Sequence, residues 1–142
     1  PSQSTSSQIP VYENCLLVTR HKLLQSQEND VNKICKKVTK VEMLPTSADE
    51  LKKFVEKYDA IIGVIPPVLQ VQLIQWKKAV VLFYMEAIGT AMSRAEAEQL
   101  LARGDGVILP PSKMGEPYRV SIYRGIVLVK DIKIEQDFII KH

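Results

Sequence analysis

Residues 58–67 read YDAIIGVIPP, and how that stretch is taken decides the fold. It is a nearly continuous apolar run stopped by two prolines, the pattern of a strand at the centre of a parallel sheet, covered on both faces. Proline is tolerated in the first helical turn, so Pro67 is placed to start a helix running through Val68, Leu69, Leu73 and Ile74 to Trp76. Upstream, a strand over Lys40–Leu44 ends at Pro45, and TSADELKKF (46–54) follows. Ser47 is its N-cap, Glu50 completes a capping box, and Leu51, Phe54 and Val55 face the core. Further back, Asn14–Thr19 reads as the first strand, and Val31, Ile34, Cys35 and Val38 recur at i, i+3, i+4 and i+7 as one buried helical stripe.

Downstream, AVVLFYM (79–85) is the fourth strand. Ser93 and Glu96 form a second capping box before a helix ending at Gly104, and GVILP (106–110) is a short fifth strand. The tail, YRVSIYRGIVLVKDIKIE (118–135), alternates and predicts an antiparallel hairpin turning at Arg124–Gly125. The β-α-β-α order implies an α/β fold with a mainly parallel sheet of about five strands, helices on both faces, and that C-terminal antiparallel hairpin. PSQSTSSQIP (1–10) is Ser/Gln-rich and reads as a flexible leader to a single domain over 11–142.

The totals bound the partners. A chain of 142 residues that is 46% apolar suits one core. Its net charge of +3 falls short of the cationic stripe of a duplex-binding protein, so an anionic ligand is expected to be small. No apolar run approaches the length of a membrane span, and the N-terminal order is not that of a secretory signal. Cys15 and Cys35 fall at apolar positions and read as reduced core thiols, which favours the cytoplasm.

In an open α/β sheet, ligands bind beyond the carboxyl ends of the strands, where strand order reverses. The first strand, CLLV (15–18), ends in Thr19, Arg20, His21 and Lys22; the third carries Gly63 and Pro66; the fourth carries Glu86 and Gly89. These groups are candidates to converge on one anion, with Arg20 as a planar fork for phosphate oxygens and His21 as a proton donor or acceptor. A solvated turn explains the cations equally well. Glu86 follows an apolar strand, where a carboxylate is paired or functional; Arg20 and Lys113 are its candidate partners. PPSKMGEPYR (110–119) presents Ser112, Lys113 and Arg119 on a loop long enough to fold over a pocket mouth. Asp59 sits at a strand's start and is assigned no chemistry.

No GxGxxG follows the first strand, and neither a GxxxxGK[ST] phosphate loop nor a GxSxG elbow occurs. Histidine occurs only at positions 21 and 142, which excludes a His-rich metal site and makes any enzyme mechanism metal-independent, without a cofactor.

The Arg-His strand end invites comparison with the histidine phosphatases, but Lys22 replaces their glycine and no second internal histidine completes their pair. Two segments together, VTRH (18–21) and YDAIIGVIPPVLQVQLI (58–74), resemble the small stand-alone CRISPR-associated ring nucleases. Those are single Rossmann-like domains, three-layer sandwiches related to the CARF sensors, with a Ser/Thr-Arg-His strand end and an IG-x-[IL]-P strand. The resemblance covers about half of the chain; the terminal hairpin and the 110–119 loop extend beyond the shortest members. It implies metal-independent cleavage of cyclic oligoadenylate, most economically the tetramer, by attack of a ribose 2′-hydroxyl on the adjacent phosphorus. This would switch off type III CRISPR signalling in the cytoplasm. Arg20 would hold the scissile phosphate and His21 would transfer a proton or position the ribose, while Thr19, Gly63 and Pro66 would shape the pocket. A symmetric ring further implies an isologous homodimer. The alternatives are a module that binds or sequesters the cyclic nucleotide without cutting it, and a regulatory partner protein with no small ligand.

Overall fold

Alternate residues of one strand enter the two larger of three core clusters, the third being Ala97, Val120 and Ile122. Cys15 and Leu17 pack on one face of the sheet with Val31 and Ile34, whereas Leu16 and Val18 pack on the other with Leu51, Val55 and Leu73, as the period-two geometry of a strand requires. The computed structural model describes residues 9–102 and 104–129. Their element order is β1 (Tyr12–Val18), α1 (Gln25–Ile34), β2 (Cys35–Val41), α2 (Ala48–Phe54), β3 (Ala60–Gly63), α3 (Pro67–Gln75), β4 (Ala79–Met92), α4 (Arg94–Leu101), β5 (Gly106–Leu109) and β6 (Tyr118–Val129). Among the described residues this is a mixed α/β fold with one six-stranded sheet in the order β2-β1-β3-β4-β6-β5.

The stretch at 58–67 forms the centre of the sheet. Every residue of β3 is buried, and it pairs in parallel with β1 through Leu17↔Ile62 and Val18↔Gly63 and with β4 through Ile62↔Val81. Pro66 is the N-cap of α3 and Pro67 its first residue. Ser47 caps α2 by accepting from the Glu50 N–H, and Ser93 and Glu96 exchange both bonds of a capping box at α4. Leu51 and Val55 are buried as expected, but Phe54 is 39% exposed.

Four expectations are corrected. The first helix stops at Ile34, and Cys35–Val41 is β2, aligned in parallel with β1. Cys35 and Val38 satisfy the helical spacing, but Val38, Thr39 and Val41 are β-branched and suit the pleated strand that pairs with β1. Second, β5 pairs antiparallel with β6 alone, so the parallel set has four strands. Third, no hairpin turns at Arg124–Gly125: β6 runs straight through, antiparallel to β4. The register steps from Tyr84↔Gly125 to Met85↔Tyr123, leaving Arg124 as the extra residue of a bulge, and Gly125 takes a φ of 132° there. The second half of the expected hairpin, from residue 130 on, lies outside the described residues, as do most of the proposed leader and His142. Ile9, counted in that leader, is buried against the core.

Fourth, Cys15 and Cys35 are joined by a disulfide across the neighbouring strands β1 and β2, with Cα atoms 6.0 Å apart. No described helix is long and apolar enough to cross a membrane. β2, at the margin of the sheet among the described residues, carries Lys36, Lys37 and Lys40, all exposed, with Lys36 pairing Glu13 at 2.9 Å.

Polar contacts tie α1 to the antiparallel half of the sheet. The Ser26 N–H and hydroxyl both donate to Asp105, at 2.9 and 2.7 Å, and the Tyr123 hydroxyl donates to Asp30 at 2.6 Å. Burial first, and the Asp30 carboxylate second, push the Tyr123 phenol well above its ordinary value. The Ser26 N–H, then its hydroxyl, hold Asp105 below its ordinary value of 3.8 against the opposing effect of burial. Because this folded-state value is depressed, Asp105 contributes stability above the unfolded value and loses it as pH falls through the folded one. Acid unfolding followed by circular dichroism from pH 5 to 2 is therefore expected to show a shallower slope in Asp105→Ala than in the parent.

Gly63 has a φ of 123°, and a Cβ there would lie 2.1 Å from the Val18 carbonyl oxygen. Gly63→Ala is expected to lower unfolding stability by about 2 kcal/mol or more in urea titrations.

Candidate functional site

Strand order reverses between β1 and β3: β2 lies on one side of β1, and β3 and β4 follow on the other. At this place the carboxyl ends of an open α/β sheet leave a crevice. The ladder carries one step past β1 on each flank, where Thr19 N–H donates to Val41 O at 2.9 Å and Val64 N–H donates to Val18 O at 3.1 Å. The chain then turns sharply. The Thr19 hydroxyl donates to His21 O at 2.9 Å and accepts from His21 N–H at 3.2 Å, so it fixes the turn that carries Arg20 and His21 outward.

A pocket of about 480 Å³ opens there. Arg20 and His21 reach it from the middle strand, flanked by Glu42, Met43, Leu44 and Thr46 after β2 and by Val64, Pro66 and Leu69 at the β3–α3 junction. Val18 and Leu44 are buried within its wall, whereas Met43 and Val64 are 60% and 74% exposed. The β3 flank is held by Gln70. Only 3% exposed, it donates from Nε2 to Ile65 O at 2.7 Å and ties the first turn of α3 to the residues that follow β3. Arg20 and His21 are exposed. Neither Arg20 nor Glu42 forms an ion pair or side-chain hydrogen bond with another described residue. The lining thus joins a guanidinium suited to phosphate oxygens, an imidazole suited to proton transfer, a carboxylate, and apolar flanks suited to a flat ring.

Of the residues singled out in the sequence, Thr19, Arg20, His21 and Pro66 come together here. Gly63 is buried beneath them and lets the backbones of β1 and β3 approach closely. Glu86, Gly89 and Lys113 are not among the lining residues. Strand four does not end before Glu86: β4 continues to Met92, and Glu86 pairs with Arg124 across to β6 at 2.6 Å, both side chains about half exposed. Its partner is thus neither Arg20 nor Lys113. Gly89 lies inside β4, where the pairing with β6 shifts register, and its surroundings fall outside the described residues. Lys113 follows β5, with its N–H donating to Glu116 Oε1 at 2.9 Å. Its loop lines a separate cleft of about 570 Å³ together with Ser93 and Arg94. Asp59 is structural, accepting from Asn14 N–H at 3.1 Å.

The sequence reading missed the whole β2 flank. A strand placed over Lys40–Leu44 put Glu42 and Met43 inside the sheet, although Glu42, three residues before Pro45, was a usable sign of an earlier strand end. No three His, Cys, Asp or Glu side chains among the described residues form a metal-binding group. Comparisons of the chain with protein-family models, curated proteins and solved structures found no significant match.

Proposed function

We propose that this chain is a metal-independent ring nuclease that degrades cyclic oligoadenylate, with cyclic tetra-adenylate as its substrate. The fold behind that reading is a Rossmann-like three-layer sandwich of the kind found in the small CRISPR-associated ring nucleases. The observation that carries it is the pairing of Arg20 and His21 at the mouth of an apolar-flanked pocket, where strand order reverses.

In the reaction, the 2′-oxygen of one ribose bonds to the adjacent phosphorus and the bond from phosphorus to the 5′-oxygen of the next nucleotide breaks. The products are a 2′,3′-cyclic phosphate and a free 5′-hydroxyl, and the proton lost from the 2′-hydroxyl balances the one gained by the leaving oxygen. Arg20 neutralises the charge that develops on the phosphoryl oxygens, and His21 carries the proton. The apolar flanks hold the base so that attack is in line. A pocket of about 480 Å³ suits one nucleotide unit rather than a ring of four. The rest of the ring then lies against a second protomer, and a two-fold dimer with the strand carboxyl ends near its axis presents two such pockets. Action in the cytoplasm would place Cys15–Cys35 among the uncommon disulfides of that compartment.

A second reading, a module that binds the ring without cutting it, draws on one observation: the His21 imidazole has no described side-chain partner to orient it. The discriminating experiment is incubation of the pure protein with labelled cyclic tetra-adenylate, with and without EDTA. Cleavage that survives EDTA supports the nuclease, binding without cleavage supports the module, and neither refutes both.

Arg20→Ala is expected to weaken ring binding by about ten- to a hundredfold while leaving the fold intact, because the side chain lies outside the core. His21→Ala is expected to lower the cleavage rate by roughly 10² to 10⁴ with binding retained. Parent-like cleavage and binding in both variants would reduce the Arg-His turn to a solvated one. Light scattering with and without the ring is expected to give a dimer, and a strict monomer under both conditions would count against the arrangement.

A further inference from the structure

We propose that the Cys15–Cys35 disulfide is a redox site through which a dithiol reductant loosens the rim of the Arg20–His21 pocket. This holds whatever the pocket binds, and it requires no cleavage.

The crosslink closes a particular loop. Its two cysteines are 20 residues apart in sequence, and the chain between them carries the Thr19–His21 turn and α1 before it returns to the sheet. Beyond Cys35, β2 leads into Glu42, Met43, Leu44 and Thr46, which line the pocket beside Arg20 and His21. One covalent bond therefore restrains both segments of the rim.

Little else anchors β2. Cys35 is its only buried residue, Val38 and Val41 are half-buried, and Lys36, Lys37, Thr39 and Lys40 are exposed. Among the described residues it pairs with β1 alone. By contrast, every residue of β3 on the other side of β1 is buried. A strand with few buried side chains is the first part of a sheet to open. With the crosslink intact, an opened β2 stays tied to β1 at its start. Without it, the whole segment from the Arg-His turn to Thr46 gains freedom.

The two sulfurs are not equally enclosed. Cys15 is 0% exposed, whereas Cys35, on the margin strand, is 8% exposed. A thiolate of the reductant attacks Cys35 Sγ, the bond between the cysteines breaks, and Cys15 leaves as a thiolate that takes up a proton. The second thiol of the reductant then attacks its own sulfur in the mixed disulfide and releases Cys35 as the second thiol. Two electrons and two protons pass to the protein, and the dithiol becomes a disulfide.

The test follows hydrogen exchange by mass spectrometry in the parent protein before and after treatment with dithiothreitol. Alkylation is expected to find both thiols free after treatment, while circular dichroism stays that of the folded chain. Peptides over 19–46 are expected to exchange about ten- to a hundredfold faster, the range that a crosslink closing a loop of this size supports. Peptides over 60–88 are expected to change by less than about twofold. A chain carrying both Cys15→Ala and Cys35→Ala is expected to match the reduced parent and to ignore dithiothreitol. The proposal is overturned by a disulfide that resists dithiothreitol until the chain unfolds, by exchange unchanged on reduction, or by faster exchange spread evenly over all peptides. The main comparison uses the parent chain itself, so it does not hinge on the folding of the variant.

Discussion

The backbones of β1 and β3 meet at Gly63, where the Val18 carbonyl oxygen occupies the space a side chain would need. This contact does more than join two strands. It lies where the sheet changes direction, so it sets how closely the strand ends on either side of the reversal approach. Val64 N–H then donates to the same carbonyl, and the chain leaves β3 into the Pro66–Pro67 start of α3. A bulkier residue at 63 would push the two strands apart and carry the β3 flank away from Arg20. The core depends on the same closeness, because Leu16 and Val18 on one face and Cys15 and Leu17 on the other pack against helices whose placement follows from the parallel ladder.

Three strand ends then bring charge and apolar surface to one opening. The middle strand delivers charge on a turn braced by the Thr19 hydroxyl. Its neighbours deliver mainly apolar surface, with Glu42 and Thr46 as the exceptions. This division follows from the topology. A residue just beyond a buried strand leaves the core abruptly, so its side chain is free of packing duties and available to a ligand. The antiparallel half of the sheet contributes by bracing: Asp105 and Tyr123 hold α1 through Ser26 and Asp30, and α1 packs behind the strand that carries Arg20.

The centre of the parallel half, though not its β2 margin, was legible in the sequence because its strongest signals are local. The run at 60–63, the paired prolines and the Ser47 and Ser93 caps each fix a position within a few residues. What failed was competition between periods. Cys35 and Val38 fit a helical stripe, and only pairing with β1, far away along the chain, makes them a strand. Arg124–Gly125 has the composition of a turn, but a bulge also calls for a glycine, and β4 supplies a partner that local sequence does not reveal. Of the site, the Arg-His turn and Pro66 were readable from their neighbours. Glu42, Met43 and Thr46 were not, because the misplaced strand boundary put part of that segment inside the sheet. The disulfide escaped as well, because Cys15 and Cys35 are 20 residues apart in sequence and only the pairing of β1 with β2 puts them on adjacent strands.

The lysines along β2 carry a consequence for how copies of the molecule meet. Two such edges brought together would set Lys36, Lys37 and Lys40 of each copy against their counterparts, and like charges placed across a ladder repel. At the opposite margin β5 spans only Gly106–Leu109, a short template for main-chain pairing. Among the described residues, charge guards one margin of the sheet and brevity the other. Edges of that kind disfavour main-chain pairing between copies, and they leave contact between side-chain surfaces as the route that needs no strand to move.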